Sequence, residues 1–189
     1  ELIVVMPMDA RTTYAKSSDI KGRSYLEYRR DMKRKAIAEL EMLIYLPEIL
    51  KGELKTNKLT ASKSGGDRFL WFLRKGGITR EPDFIVATDT KTLEVEFQYA
   101  KKTDLDYYDF KISKVVKGKN KEPIKDKYFL YLHIPLEKYA FFNTNWIIDN
   151  GKYGMVEAWR SYAYRVPQEK MQNILKTHPC LKILIHNIE

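Results

Sequence analysis

Residues 79–102, TREPDFIVATDTKTLEVEFQYAKK, contain the clearest strand pair in this chain. Two β-rich runs, DFIVAT and LEVEFQYA, flank the polar turn DTKT at the spacing of a hairpin. If Thr88 faces Leu93 across the turn, Asp83 lies opposite Gln98. Because side chains alternate between the faces of a strand, the apolar residues of both runs then share one face and the acids share the other. The stretch therefore predicts a hairpin with a core face and an acidic face.

The acidic face carries Asp83, Glu94, Glu96 and Gln98. In this register Glu96 is the diagonal neighbour of Asp83, about 7–8 Å away at the backbone, a gap that two carboxylates and one metal ion can span. Glu94 lies two residues further along and is poorly placed to share that ion. Clustered carboxylates repel each other unless they take up a proton or a cation compensates them. We expect Mg²⁺, with Mn²⁺ as a substitute, because Mg²⁺ binds through one or two carboxylates and bridges to substrate phosphate.

These residues resemble the signature of a nuclease family. Pro82-Asp83, a strand and turn, and then Glu96-Phe97-Gln98 look like the motif of the PD-(D/E)xK superfamily, which includes type II restriction endonucleases, Holliday-junction resolvases and repair nucleases. The resemblance implies that Asp83 and Glu96 are the metal-binding acids. It implies further that the backbone carbonyl of Phe97 faces the metal and that Gln98 occupies the usual lysine position, an E-x-Q variant of the motif.

Gln98 is the departure from the family pattern, because glutamine supplies no positive charge to a transition state and is no general base. Glu94-Val95-Glu96 offers a second register of the E-x-E type, which the strand pairing disfavours. Lys101 or Lys102, just past the strand end, offers a cation from a shifted position, with Lys101 less suited because alternation turns it away from the face of Gln98. The sequence alone does not exclude the second register or either lysine.

A long amphipathic helix is predicted from Ser24 to about Leu46, with apolar residues at helical spacing and Pro47 at its end. The family resemblance implies that an acid from this helix, Glu39 or Glu41, approaches the metal site.

The rest of the chain predicts an α/β fold. Residues 103–116 are ambiguous between a helix and an irregular arm, and residues 155–166 do not settle between helix and strand. We expect a restriction-endonuclease-like core with a central mixed β-sheet flanked by helices, in one nuclease domain over residues 1–189. Its predicted parts are a helical part at about 20–77, with a short helix over 67–75; the catalytic hairpin at about 82–100; a strand at 128–134; and a C-terminal helix and strand at about 155–189, the helix starting at Pro167 and the strand covering 181–188.

The charge balance favours a polyanionic partner. Lys and Arg number 34 against 25 acids, which gives a net charge of +9, and neutralising phosphates is a sequence-independent source of affinity. Double-stranded DNA is the expected partner. Since duplex cleavage needs one site per strand and the chain has one motif, we expect a homodimer. The predicted DNA-contacting residues are Arg29, Arg30, Lys33, Arg34, Lys114, Lys117, Lys119 and Lys121.

Other classes of function lack support in the sequence. The three histidines have no second ligand at zinc spacing, so structural roles are expected for them. The segment SKSGGDR lacks the lysine and hydroxyl residue of a phosphate-binding P-loop, so no nucleotide cofactor is expected. A single cysteine, Cys180, and the lack of a long apolar run predict a cytoplasmic protein that does not enter a membrane.

The predicted function is a Mg²⁺-dependent DNA endonuclease, specifically a type II restriction endonuclease cutting duplex DNA at a specific site. The resemblance implies metal-assisted phosphodiester hydrolysis, with Glu94 holding a second ion or orienting the attacking water. Three alternatives remain. The first is a structure-specific nuclease acting on junctions or repair intermediates. The second is a catalytically silent nucleic-acid-binding module, and the third is a basic scaffold whose hairpin acids face water.

Overall fold

The computed structural model describes residues 25–64, 81–159 and 161–188. The predicted helix over 67–75 and the predicted cap at Ser24 lie outside these residues. Every helix within the described ranges is too short or too polar to cross a membrane.

Helix α1 spans Tyr25–Leu54, so the prediction that Pro47 ends it is wrong. Proline lacks an N–H and normally breaks a helix because one intrahelical hydrogen bond is lost. Here Leu46, Ile49 and Leu50, on both sides of the proline, are fully buried in the main core. Burying three such side chains contributes about 1.5–3 kcal/mol each, which outweighs the cost of one interior proline, about 3 kcal/mol.

A six-stranded mixed sheet forms the centre of the described structure, in the order β1-β2-β3-β7-β8-β11. Strands β3 and β7 are parallel, and the other neighbours are antiparallel. Helices α1 and α5 cover one face of the sheet. The predicted α/β class with a central mixed sheet flanked by helices is thus confirmed. The strands are β1 Leu59–Lys63, β2 Phe84–Thr88, β3 Thr92–Ala100, β7 Lys127–His133, β8 Lys138–Asn143 and β11 Lys176–Thr177, and α5 spans Leu181–Ile188.

A second sheet, in the order β4-β10-β9, covers the other face of β7 and β8. Its strands are β4 Tyr107–Lys111, β9 Lys152–Val156 and β10 Ser161–Pro167. The sequence left residues 103–116 ambiguous between a helix and an irregular arm. Residues 107–111 of this segment form a strand. Phe110 packs edge-on against Phe129 of β7, with ring centroids 5.3 Å apart, and so joins the two sheets.

Short helices follow strands β4 and β8. Short helix α2 follows β4 directly and leads into a small hairpin, β5–β6, within the lysine-rich loop predicted from sequence. Helix α3 follows β8 and packs on the second sheet, and 3₁₀ turns lie at Ile134–Leu136 and Glu157–Trp159. The bounds are α2 Ile112–Val115, β5 Val116–Lys117, β6 Glu122–Pro123 and α3 Thr144–Asn150.

The last predicted strand is a helix instead. In α5 the buried residues Leu181, Leu184 and Ile185 recur at helical spacing and pack against α1 and the sheet. A run as apolar as LKILIHNI suits either a buried strand or a helix face, and only the three- and four-residue spacing tells them apart. The helix predicted from Pro167 is short: α4 spans Gln168–Gln172, and Pro167 is its N-cap.

His133 has the structural role predicted for it. It is fully buried, and its Nε2 lies 2.8 Å from the carbonyl of Lys102 while its Nδ1 lies 2.7 Å from the Tyr108 hydroxyl. Because the carbonyl can only accept, Nε2 carries the proton and Nδ1 accepts from Tyr108. Burial raises the pKa of Tyr108, which keeps the phenol protonated as this donor role requires.

Candidate active site

The hairpin register brings the two motif acids closer than predicted. Ile85 pairs with Glu94, not with Glu96, so the predicted register is wrong by two residues. The turn is tighter than assumed, because the Thr88 N–H already donates to the Lys91 carbonyl at 2.9 Å. A shift of two residues leaves each side chain on its predicted face. Continued by one residue, the observed register puts Asp83 level with Glu96.

Asp83 is held at the start of β2 from three directions. The Phe97 N–H donates to Oδ2 of Asp83 at 2.8 Å, Lys35 Nζ lies 3.6 Å from the same oxygen, and the Ser64 N–H donates to the Asp83 carbonyl. The side chain is only 2% exposed. Pro82 has no N–H and so cannot continue the ladder toward Phe97. The Pro-Asp pair therefore ends the strand pairing and leaves the carboxylate to take the Phe97 N–H.

Glu96 is held by two lysines that come from outside the hairpin. Lys114 of α2 and Lys127 of β7 lie 2.9 Å and 2.8 Å from the same oxygen, Oε1. Glu96 and Lys127 are each 3% exposed, whereas Lys114 is partly exposed. Lys127 reaches Glu96 because β7 lies beside β3 in the sheet, with Glu96 paired to Phe129.

One further acid joins each of these two sets of ion pairs. Glu94, whose side chain is 43% exposed, lies 3.3 Å from Lys127. Glu39 of α1 is fully buried, contacts Lys63 at 2.6 Å and shares Lys35 with Asp83. Of the two helix acids named from the resemblance, Glu39 is thus the one joined to Asp83 through a lysine.

We call these eight side chains the acid–lysine cluster. It consists of four carboxylates and four ammonium groups, so its formal charge is zero. We expected a metal ion to compensate the acids, and here the ammonium groups of four lysines compensate them. Its members are Glu39, Asp83, Glu94, Glu96, Lys35, Lys63, Lys114 and Lys127.

Three of these lysines were not assigned to the site from the sequence, although Lys35 belongs to the basic run of the long helix. Lys127 was counted within a lysine-rich loop, and its one local signal is its place directly before the apolar run YFLYLH. Lys35 and Lys63 lie on α1 and β1, and nothing in the sequence links them to Asp83. Lys114 was predicted as a DNA contact, yet it lies in the cluster.

The remaining predicted residues lie apart from the cluster. Gln98 is half-buried on the same face of β3, one pleat beyond Glu96. Lys101 and Lys102 are exposed past the end of that strand. The predicted DNA contacts on α1 and on the β5–β6 hairpin are exposed; they are Arg30, Lys33, Arg34, Lys117, Lys119 and Lys121. The side chain of Arg29 lies outside the described part of the structure.

The donor set fits one divalent ion. Both lysines bind Oε1 of Glu96, and Oε2 has no hydrogen-bonding or ion-pair partner among the described residues. The Phe97 carbonyl points to the same edge as its N–H, toward Asp83, as in any extended strand. Two carboxylates, one carbonyl and water suffice for Mg²⁺. Among the described residues, however, no three His, Cys, Asp or Glu side chains are grouped as metal ligands.

No protein-family model matches this chain, and a search of curated proteins gave no match. Among solved structures, it is similar to Hjc, a Holliday junction resolvase from the archaeal hyperthermophile Archaeoglobus fulgidus, at 12% sequence identity and a TM-score of 0.35. The alignment covers 73% of this chain and 96% of that one. At this level of similarity the function has to be inferred from the site itself.

Proposed function

We propose that this protein is a divalent-metal-dependent endodeoxyribonuclease of the PD-(D/E)xK type. The observation that carries the proposal is the placement of Asp83 level with Glu96, both buried, at the end of the β2–β3 pairing. Buried carboxylates cost free energy unless they are paired, and clusters of this kind occur preferentially at functional sites. A solvated strand face, the alternative expected from sequence, does not account for acids that are 2–3% exposed.

Asp83, Glu96 and the Phe97 carbonyl would hold the ion, with water and a substrate phosphate completing its shell. A bound Mg²⁺ or Mn²⁺ supplies Lewis-acid polarisation of the scissile phosphate and activates the attacking water. The residues of the chain do the rest. Lys35 and the Phe97 N–H fix the Asp83 carboxylate, and Lys127 orients the Glu96 carboxylate in a site from which water is largely excluded.

Lys114 supplies the positive charge that the lysine of the motif usually supplies. It approaches Glu96 from α2 and not from β3, and its partial exposure leaves the ammonium group accessible to a phosphate. A fixed positive charge beside the phosphate stabilises the charge that develops there during hydrolysis. Gln98, one pleat further along, offers an amide that both donates and accepts hydrogen bonds and so orients water.

DNA is the proposed substrate, and the exposed basic residues of α1 and of the β5–β6 hairpin are its proposed phosphate contacts. Two finer activities follow from the sequence: site-specific cleavage of duplex DNA by a homodimer, as in restriction, and cleavage that follows branches or unpaired segments. Fixed fragments from linear duplexes of many sequences would establish the first. Cuts that move with the position of a branch would establish the second.

A direct test is the metal requirement for cleavage. We expect the protein to cut supercoiled plasmid, single-stranded, flapped or four-way-junction DNA with Mg²⁺ or Mn²⁺, and to cut nothing when the metal is chelated with EDTA. The gel assay should recover full activity when Mg²⁺ is restored in excess of the chelator. Intact DNA of every form with both metals would rule out the nuclease.

Lys114→Met tests the relocated lysine. We expect the turnover of bound DNA to fall about 100-fold, because one preorganised charge is lost from the transition state. Lys114→Arg should recover part of the rate, since it restores the charge with altered geometry. The exposed Lys170→Met, on α4, is the matched control and should change turnover less than twofold. A fall confined to DNA affinity, with turnover intact, would make Lys114 a phosphate contact only.

A catalytically silent DNA-binding module is the second candidate, and one observation favours it. The acid–lysine cluster is electrically neutral by itself, so it needs no metal ion to be stable. Such a module would bind DNA with the same affinity in Mg²⁺ and in EDTA and would cut none of the substrates above. Calorimetric titration with Mg²⁺ in the presence of DNA separates the two candidates, because the nuclease binds the ion with help from the phosphate.

A further inference from the structure

The second sheet carries an exposed aromatic surface away from the acid–lysine cluster. Tyr153 and Met155 of β9 and Tyr162 of β10 lie on the face of that sheet whose other residues, Tyr164 and Val166, are buried in the core. Tyr153 and Tyr162 are 48% and 46% exposed. The inner face of the sheet thus runs past the core and continues into solvent. We call Tyr153, Met155 and Tyr162 the tyrosine patch.

The two tyrosine rings already form a parallel stack, which we call the platform of the patch. Tyr153 and Tyr162 stack with their centroids 5.0 Å apart and their planes 5° from parallel. Tyr153 also contacts the ring of Tyr164 edge-on at 6.1 Å, which ties the platform to the core. A base that stacks on the outer face of Tyr162 therefore has little side-chain ordering left to impose.

A lysine is held over the platform. Lys121, at the turn of the β5–β6 hairpin, places Nζ 4.3 Å from the ring centroid of Tyr153. Its φ is 52°, in the left-handed region that favours glycine over a residue with a side chain. Lys117 and Lys119 of the same hairpin are exposed beside it. Tyr153 thus has Tyr162 stacked on it and Lys121 over it, and the ring face left for a base is that of Tyr162, next to these ammonium groups.

We propose that the tyrosine patch stacks on unpaired bases of a DNA strand while Lys121 neutralises the adjacent phosphate. This inference rests on the proposed function, since it names the form of DNA that the nuclease acts on. Aromatic platforms in positively charged grooves bind single strands because every base has a face to stack on. The bases of an intact duplex are stacked on one another, so the patch selects substrates with a single-stranded segment over uninterrupted duplex.

The patch lies within reach of the proposed active site. Lys121, which contacts Tyr153, lies seven positions after Lys114, which contacts Glu96, so their Cα atoms are at most ~25 Å apart. The hairpin between them is fastened at its base by the Ile124 N–H, which donates to the Val115 carbonyl at 3.0 Å. At about 3.4 Å per nucleotide, one strand bridges such a distance in about seven nucleotides.

The test is binding without cleavage. Fluorescence anisotropy in EDTA would compare a labelled 20-nucleotide single strand with the duplex of the same sequence, for the native chain and for Tyr153→Ser/Tyr162→Ser. We expect the single strand to bind at least tenfold more weakly to the double variant, and the duplex to change less than twofold. Tyr107→Ser, at an exposed tyrosine on the other face of the same sheet, is the matched control and should leave both affinities unchanged.

Lys121→Glu provides a second variant that leaves the tyrosines in place, and it should weaken single-strand binding more than duplex binding, since it removes one phosphate contact from both forms but only the single strand also uses the tyrosines. Equal losses on both DNA forms, or no loss, would overturn the proposal. So would a dimer in light scattering that Tyr162→Ser dissolves without affecting DNA binding, since the patch would then bind a second copy of the chain.

Single-strand binding through the tyrosines by a protein that cleaves nothing would overturn the nuclease and support the patch. Cleavage and single-strand binding that are both unchanged in Tyr153→Ser/Tyr162→Ser would support the nuclease and overturn the role of the patch.

Discussion

Replacing Asp83 with Asn is expected to reduce DNA cleavage about 1,000-fold or more while DNA binding stays within threefold of the native affinity. Asn keeps an oxygen that can accept the Phe97 N–H, so the end of the hairpin keeps its structure. It loses the negative charge that holds a divalent ion. The ion's stabilisation of transition-state charge is worth several kcal/mol, and each ~1.4 kcal/mol changes a rate tenfold. Single-turnover cleavage and a gel shift in EDTA measure the two quantities.

Asp89→Asn is the control for this variant. Asp89 lies in the turn at the opposite end of the same hairpin, is exposed and accepts a hydrogen bond from Thr56. We expect its cleavage rate to lie within twofold of the native value. If Asp83→Asn cleaves as well as Asp89→Asn, the buried acid is only a structural member of the cluster, and the silent binding module becomes the better account.

Replacing Glu96 with Gln is expected to lower the free energy of unfolding by about 3 kcal/mol. The change removes the charge that Lys127 faces in a nearly water-free position, and an uncompensated buried charge typically costs about 3–5 kcal/mol. Glu94 remains near Lys127, but its side chain is 43% exposed, so water screens the attraction and Glu94 compensates the lysine only in part. Urea unfolding followed by circular dichroism gives the value.

A double-mutant cycle assigns this loss to the buried pair. Lys127→Met in the Glu96→Gln background should recover at least half of the lost stability, because the unpaired ammonium group is gone and an apolar chain of similar length fills its place. Glu94→Gln removes an acid from the exposed end of the same network and should cost less than about 1 kcal/mol. Equal costs for Glu96→Gln and Glu94→Gln would contradict the pairing described here.

The sequence predicted the faces of the hairpin correctly but not its register. Alternation assigned Phe84, Val86 and Val95 to the core face, and all three are buried. Whether the turn closes at Thr88–Leu93 or at Thr88–Lys91 depends on hydrogen bonds of the turn itself, which the alternating pattern does not encode. A register that is off by an even number of residues gives the same faces, and only the level of Asp83 against Glu96 changes.

The cations of the site were the least predictable part. Gln98 could be identified as a departure from the family pattern because the motif is local in sequence. Lys114, the lysine that we propose in place of the usual motif lysine, could not be identified in this way. Lys114 and Lys127 lie 18 and 31 residues beyond Glu96 and meet it only because β7 pairs with β3 in parallel and α2 lies above it. Pairing between distant strands follows from the packing of the whole sheet, so no local period reveals it. Helix α5 was mistaken for a strand for a related reason, since an apolar run fits either element until its packing is known.

The parallel pairing of β3 with β7 has a consequence for when the proposed site is assembled during synthesis. A parallel neighbour requires a long excursion of chain before it can be reached, and contacts of this sequence separation form slowly. A nascent chain that has emerged only as far as Ala100 contains both motif acids but neither Lys114 nor Lys127. When β7 pairs with β3, the hairpin, α2 and β7 come together, and with them Glu96, Lys114 and Lys127. If the cluster is catalytic as proposed, cleavage requires the chain as far as Lys127 and the pairing of β7 with β3, so a shorter nascent chain poses little danger to the DNA around it.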